Sequence, residues 1–263
     1  MDKSTHLRNV LAQKKPAVGF ALTLASPPII RAALAPRRFS WVMVDGEHGL
    51  ISDEHYYNIC THVASCGASP IIRIPVDAEW MIKRALDAGA HGVMTPMCHT
   101  ADDARRIVGY SKYPPNGSRG YGPSLCPHAF DVPDAVYPAQ ADENLLVVVQ
   151  IESPQAVRNV QAIAEVPGVD IIFIGPYDLS KQMGVAFGGE EHEAALQTIL
   201  DATKKAGKTA AIYCANGSAA KKRLDQGFDM VTIGTELGAI TAEFERQVDT
   251  ALGAGASQRT TVY

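Results

Sequence analysis

LLVVVQIE, residues 145 to 152, opens with five apolar residues in succession, three of them β-branched, before Gln150, Ile151 and Glu152. A strand with one wet face alternates apolar and polar residues, so an unbroken run means burial on both faces. Working outward, AVGFALTL (17 to 24), WVMVD (41 to 45), PIIRI (70 to 74), GVMTPM (92 to 97), DIIFIG (170 to 175), TAAIYCA (209 to 215) and DMVTIG (229 to 234) read the same way. Segments with helical spacing separate them: His55 to Cys66, Glu79 to Asp87, Ala101 to Tyr110, Pro154 to Ala164, Glu191 to Ala206 and Ser218 to Gln226. Alternating buried strands and helices select the α/β class, and eight repeats in 263 residues favour one (β/α)8 barrel of the TIM type over an open doubly wound sheet. Residues 1–263 are therefore expected to form a single domain.

One stretch breaks the rhythm. Residues 113–144, dense in Pro and Gly, read as a long loop over the active-site face, because loops of that length are usually functional. The end of the chain, 241–263, reads as a last helix, Thr241 to Leu252, and a loosely held tail.

Composition narrows the function classes. Hydrophobic residues make up 46% and charged residues 20%, a balance that folds without help, and a net charge of −4 supplies no positive field for nucleic acid or an anionic membrane. A small-molecule site is the remaining expectation. The five cysteines, Cys60, Cys66, Cys98, Cys126 and Cys214, show no CxxC pair, so reduced thiols are expected. The N-terminus lacks the apolar run of a signal peptide and no stretch has membrane-span length, which suits a cytoplasmic location.

Catalytic groups of such barrels gather where strands end. That rim carries Asp45, Glu47 and His48 after the second strand, Arg73 on the third, Gln150 and Glu152 on the fifth and Asp178 after the sixth. Burying Glu152 and Asp178 together is costly without a cation, and two carboxylates plus waters suit Mg²⁺ or Mn²⁺, with Co²⁺ a further candidate. The turn GPYDLS (175 to 180) starts a short helix whose free amides, near Gly175, Pro176, Tyr177 and Asp178, would receive a substrate carboxylate. Arg73, inside an apolar strand, suits charge stabilisation of an enolate or alkoxide oxygen. His48, beside acids at a strand end, has the setting of a general base. Schiff-base chemistry needs a lysine in or directly after a strand, and none of the eight runs has one. Tyr177, Tyr121 and Phe130 are aromatic candidates for the pocket wall.

The stretches WVMVDGEHG, PIIRI, LDAGAHGVMTPM, YPPNGSRGYG, VQIES and FIGPYDLS, in this order over roughly residues 18 to 235, resemble those of the HpcH/HpaI aldolase family, which includes 4-hydroxy-2-oxoheptanedioate aldolase and, more distantly, macrophomate synthase. The resemblance implies a phosphoenolpyruvate/pyruvate-type barrel and a metal-dependent class II pyruvate aldolase. It puts the metal carboxylates at Glu152 and Asp178, the base at His48, the acid paired with that base at Asp87, the oxyanion-stabilising arginine at Arg73 and a pyruvate contact at Gln150. Glu47 would hold a metal-bound water, with Asp45 beside it. A homo-oligomer, hexamer or trimer, with the last helix exchanged between subunits, is also implied.

Two positions depart from the family pattern. Ala21 stands where a Trp is usual, which opens the pocket and bears on the acceptor, and Tyr177 is bulkier than the residue common there. An oxaloacetate decarboxylase or macrophomate-synthase-like enzyme using the same enolate, and a catalytically silent barrel that only binds, are the alternative readings.

Overall fold

Each of the eight apolar runs forms a strand: β1 Ala17–Leu22, β2 Trp41–Asp45, β3 Ser69–Arg73, β4 Gly92–Thr95, β5 Leu146–Ile151, β6 Ile171–Ile174, β7 Thr209–Ile212 and β8 Met230–Thr235. In this computed structural model, which describes residues 5–253, the strands close in chain order into one barrel, with β8 pairing back to β1. Every pairing is parallel.

Strand alternation divides the core in two. Ala21, Trp41, Met43, Ile71, Val148 and Phe173 point into the barrel and pack on one another, while their neighbours Val42, Val44, Ile72, Val147, Val149 and Ile172 point outward against the helices. Both sets are apolar because both faces are dry, which is why the runs read as unbroken. Trp41 fits inside because Gly19 lies beside its indole, where a Cβ would come within 2.5 Å of the ring.

The helix His6–Ala12 closes the N-terminal end of the barrel. Leu7 is buried in the inner cluster and its amide donates to Ser69 Oγ at 2.9 Å, while Arg8 donates to the carbonyls of Asn144 and Leu145 and to Asp170. The C-terminal end of the barrel is left open.

Residues 113–144 do not form a long loop over that end. They include the helices Cys126–Ala129 and Val136–Asn144 and lie at the opposite end, where Phe130 rests on His91 with centroids 4.9 Å apart and Asp142 accepts from the Tyr113 amide at 2.9 Å. The physical reason is direction. The preceding helix, Ala101–Ser111, runs back from the rim, so the chain emerges beside the strand N-termini.

The same geometry places Asp87 away from His48 within the chain. Asp87 ends the helix Glu79–Asp87, which leaves the rim after β3 and carries it down by about 13 Å. There its Oδ1 accepts from the Arg119 guanidinium at 2.6 Å. Arg119 is fully buried, donates also to the Tyr137 phenol at 3.2 Å and lies 4.5 Å from the Tyr113 ring centroid. Asp87 thus clamps segment 113–144 to the barrel.

The last helix spans Glu236–Leu252, starting earlier than expected because Thr235 Oγ1 accepts the Gly238 amide at 2.9 Å and caps it. Leu237, Ile240, Phe244, Val248 and Leu252 form an exposed apolar stripe along it. Of the expected tail, residues 254–263 lie outside the described residues. Among the described residues no helix is long and apolar enough to cross a membrane.

Asp87→Asn should destabilise the fold by about 2 kcal/mol, because it leaves a buried guanidinium facing a neutral amide. A lowered urea unfolding midpoint checks this; an unchanged midpoint would show that the clamp contributes nothing to stability.

Candidate active site

At the open end of the barrel lies a cavity of about 540 Å³, lined among others by Ala21, Asp45, His48, Arg73, Gln150, Glu152, Gly175, Pro176, Tyr177 and Asp178. Sequence positions from five different strand ends therefore meet in one place. Glu47 adjoins it through Arg73, whereas Asp87, Tyr121 and Phe130 are not among the lining residues.

Glu152 follows the last residue of β5 and is buried. Its Oε2 accepts the Met97 amide at 3.0 Å and its Oε1 accepts the Gln150 side-chain amide at 2.6 Å. Met97 reaches this position with φ of 54°, a left-handed conformation that a non-glycine residue holds only when its surroundings enforce it. On the other side Gly175 leaves the space the carboxylate occupies, since a Cβ there would lie 2.0 Å from Oε1. Burial, with the Asp178 charge adding to it and the Met97 amide and Arg73 opposing, raises the Glu152 pKa to about 8. Without a cation the carboxyl would hold a proton at neutral pH.

Asp45 and Arg73 are register partners across β2 and β3. The guanidinium meets the carboxylate with two hydrogen bonds, Nε to Oδ1 at 3.0 Å and Nη2 to Oδ2 at 2.7 Å, and Nε also lies 3.2 Å from Glu47 Oε2. Burial alone would work against the charge of Arg73, but the bond to Asp45 and the neighbouring carboxylates outweigh it and raise its pKa. Asp45 Oδ1 also accepts the amides of Glu47 and His48, each at 3.1 Å. Asp45 therefore shapes the DGEHG turn and orients Arg73. His48 stands at the mouth, its side chain 59% exposed and its Nε2 3.9 Å from Glu47 Oε2.

The donor set fits a hard divalent ion. Among the described residues no three His, Cys, Asp or Glu side chains converge as a complete ligand set, so the site offers Glu152 and Asp178 as two carboxylates and leaves the other positions to water or substrate oxygens. The buried, half-satisfied Glu152 is the group that such an ion would neutralise.

Several residues of the site were not singled out in the sequence. Thr23, Leu24, Met43, Leu50, Phe173, Tyr213, Thr235 and Leu237 also line the cavity. Tyr213 directly follows β7, so its place at a strand end was a readable signal; the leucines carry no such mark. Glu236 was missed too. Its Oε1 accepts the Thr23 amide, the Thr23 hydroxyl and the Leu24 amide at 2.7, 2.9 and 2.8 Å, fixing the β1 exit against the last helix.

The family model for HpcH/HpaI aldolase/citrate lyase matches residues 19–242. The chain is 34% identical over 244 residues to a 5-keto-4-deoxy-D-glucarate aldolase of Salmonella paratyphi C, covering 91% of this chain and 94% of that one. A HpcH/HpaI aldolase/citrate lyase family protein from Burkholderia cenocepacia superposes with a TM-score of 0.88 at 28% identity, over 95% of this chain and all of that one. Macrophomate synthase, at 22% identity over 94% of this chain and 88% of its own, shares the fold with a TM-score of 0.82. The fold and site thus define a carbon–carbon lyase on a (β/α)8 barrel. The chain belongs to the HpcH/HpaI aldolase/citrate lyase family.

Gly175→Ala tests the seat of Glu152. The added methyl displaces the carboxylate but removes no core volume, so the protein should stay folded while Mn²⁺ binding, followed by calorimetry, weakens at least about tenfold. Wild-type affinity in this variant would mean that Glu152 does not hold the ion.

Proposed function

We propose that this protein is a metal-dependent class II aldolase that reversibly cleaves 4-hydroxy-2-oxo acids into pyruvate and an aldehyde. The observation that carries the reading is a buried carboxylate, Glu152, lining one cavity with Asp178 and with a guanidinium held in place by Asp45. Glu152 and Asp178 would hold Mg²⁺ or Mn²⁺, with Co²⁺ a further candidate. When bound, the cation polarises the keto oxygen and draws charge away from the reacting carbons.

In the cleavage direction His48 accepts the proton of the C4 hydroxyl. The C3–C4 bond then breaks, the aldehyde carbonyl forms, and the electron pair moves through C3 to the C2 oxygen. Arg73 faces that oxygen with a planar fork whose orientation Asp45 and Glu47 fix, which stabilises the negative charge without reorganisation. His48 returns a proton to C3, giving the methyl group of pyruvate. Gln150 aligns Glu152 and contacts the pyruvate moiety, Glu47 sits between Arg73 and His48 to hold a water, and the amides of Gly175, Tyr177 and Asp178 at the start of a helix receive the substrate carboxylate.

The glucarate-type substrate named for the Salmonella relative is not carried over, since 34% identity supports the reaction class and leaves the aldehyde half free to differ. We further propose a homo-oligomer, hexamer or trimer, in which the apolar stripe of helix Glu236–Leu252 packs on a second copy of the chain. A stripe of that length would otherwise face water. A cytoplasmic location agrees with chemistry on small 2-oxo acids.

The test is pyruvate release from 4-hydroxy-2-oxo acids in Mg²⁺ or Mn²⁺ buffer, for wild type, Glu152→Gln and Arg73→Lys. Wild type should be active only with metal, Glu152→Gln should lose at least about a hundredfold, and Arg73→Lys should lose mainly in kcat, because a point charge does not reproduce the fork. Full activity of Glu152→Gln in chelator-treated buffer would refute the proposal, and CO₂ release from oxaloacetate with no aldol cleavage would move it to decarboxylation.

A further inference from the structure

The His48 side chain is 59% exposed at the cavity mouth, so packing does not hold it. Its reach is set by the backbone turn that carries it, residues 45–49. That turn is tied at its start, where Asp45 Oδ1 accepts the amides of Glu47 and His48 and Gly46 donates to the Arg73 carbonyl at 2.9 Å. It is tied again at its end, to a different element. The Leu50 amide donates to the Thr23 carbonyl at 2.8 Å, Leu24 and Leu50 form a parallel bridge, and Gly49 lies so close to the β1 exit that a Cβ there would come within 3.0 Å of Thr23 Cα.

The β1 exit needs a support of its own. Pairing of β1 with β8 shifts register between Gly19 and Ala21 and ends at Ala21 and Thr235, so the amides of Thr23 and Leu24 lie beyond the ladder. Glu236 takes both. Its Oε1 accepts the two amides and the Thr23 hydroxyl, each at 2.9 Å or less, whereas its Oε2 is buried with no hydrogen-bond partner among the described residues. Helix capping does not account for this carboxylate, because Thr235 already caps the last helix through the Gly238 amide. A half-satisfied buried carboxylate is costly, and what it holds in place is the strand exit on which the end of the histidine turn rests.

We propose that Glu236 is a positioning residue for the proton transfers of His48, acting through Thr23, Leu24 and Leu50, an inference that rests on the aldolase reading above. Glu236 is not among the residues lining the cavity, so it does not act by touching substrate. The path is short and made of backbone: Glu236 fixes Thr23 and Leu24, these fix Leu50, and Leu50 is two residues from His48. A proton acceptor displaced by about 1 Å loses much of its rate, because the reacting atoms must meet at hydrogen-bond distance. The metal carboxylates lie off this path. Glu152 follows β5 and Asp178 follows β6, so loosening the β1 exit leaves them where they are.

The experiment measures exchange of the pyruvate methyl protons with solvent in Mn²⁺ buffer, with no aldehyde present. Glu236→Ala releases all three donors, so kcat for exchange should fall at least about tenfold, with KM for pyruvate and Mn²⁺ affinity within about twofold of wild type. Glu236→Gln keeps a side-chain carbonyl for the same donors and should stay within about threefold of wild type. In a His48→Ala background, read at alkaline pH where solvent base supports residual exchange, Glu236→Ala should cost nothing further, since both substitutions remove one function. In metal-free protein, deuterium uptake by the amides of residues 46–50 should quicken in Glu236→Ala and not in Glu236→Gln. Should Glu236→Ala fail to fold, Glu236→Asp, one carbon shorter, carries the same expectations. Wild-type exchange in the Ala variant, a Gln variant as slow as Ala, or an equal loss with and without His48 overturns the positioning role alone. No exchange by the wild type overturns His48 as the group that moves the methyl proton, and the aldolase reading with it.

Discussion

The site is organised around one costly group, the buried carboxylate of Glu152. The fold pays for its burial with a strained backbone at Met97, an amide from Gln150 and a glycine at position 175 that yields the space. None of these contacts neutralises its charge, and the nearby Asp178 makes ionisation harder still. A group held this way suits a cation, and a cation bound there would give Asp178 and the open face of the cavity their part in the proposed chemistry.

Opposite it, Arg73 is oriented by strand register. Because Asp45 and Arg73 face each other across β2 and β3, the fork is aligned by the backbone and not by a flexible linker. The same carboxylate takes the amides of Glu47 and His48, so one side chain bears on both the orientation of the arginine and the position of the histidine. Substitution of Asp45 would consequently disturb two functions together.

Strands and site were legible to different degrees. The barrel could be read because its strands are dry on both faces, and an unbroken apolar run such as LLVVV is hard to mistake for a surface element. The helices Glu79–Asp87 and Pro154–Ala164 were bounded correctly by caps and periodicity. The helix Pro27–Leu34, which begins with two prolines in its first turn, was not among the segments read as helical. The segment 113–144 misled in its placement: Pro and Gly mark a break in periodicity and say nothing about which end of the barrel the break occupies. The charged residues that line the cavity were legible because each ends a strand or lies shortly after one. Leu24, Leu50 and Leu237 were not, because an apolar side chain at a rim looks like core until the cavity beside it is seen. Asp87 carries no rim signature in the sequence, and within this chain its carboxylate meets Arg119.

Binding of Mn²⁺ as a function of pH, measured by calorimetry on the wild-type protein and on Glu152→Gln, tests most directly that Glu152 is a carboxylate held protonated for want of a cation. With its pKa raised to about 8, the ion must displace a proton at lower pH. Apparent affinity should therefore rise about tenfold per pH unit from pH 6 toward 8 and then level, with one proton released per ion below that point, and Glu152→Gln should lose both the tight binding and the slope. An affinity independent of pH over this range, or the same affinity in Glu152→Gln, would contradict the account.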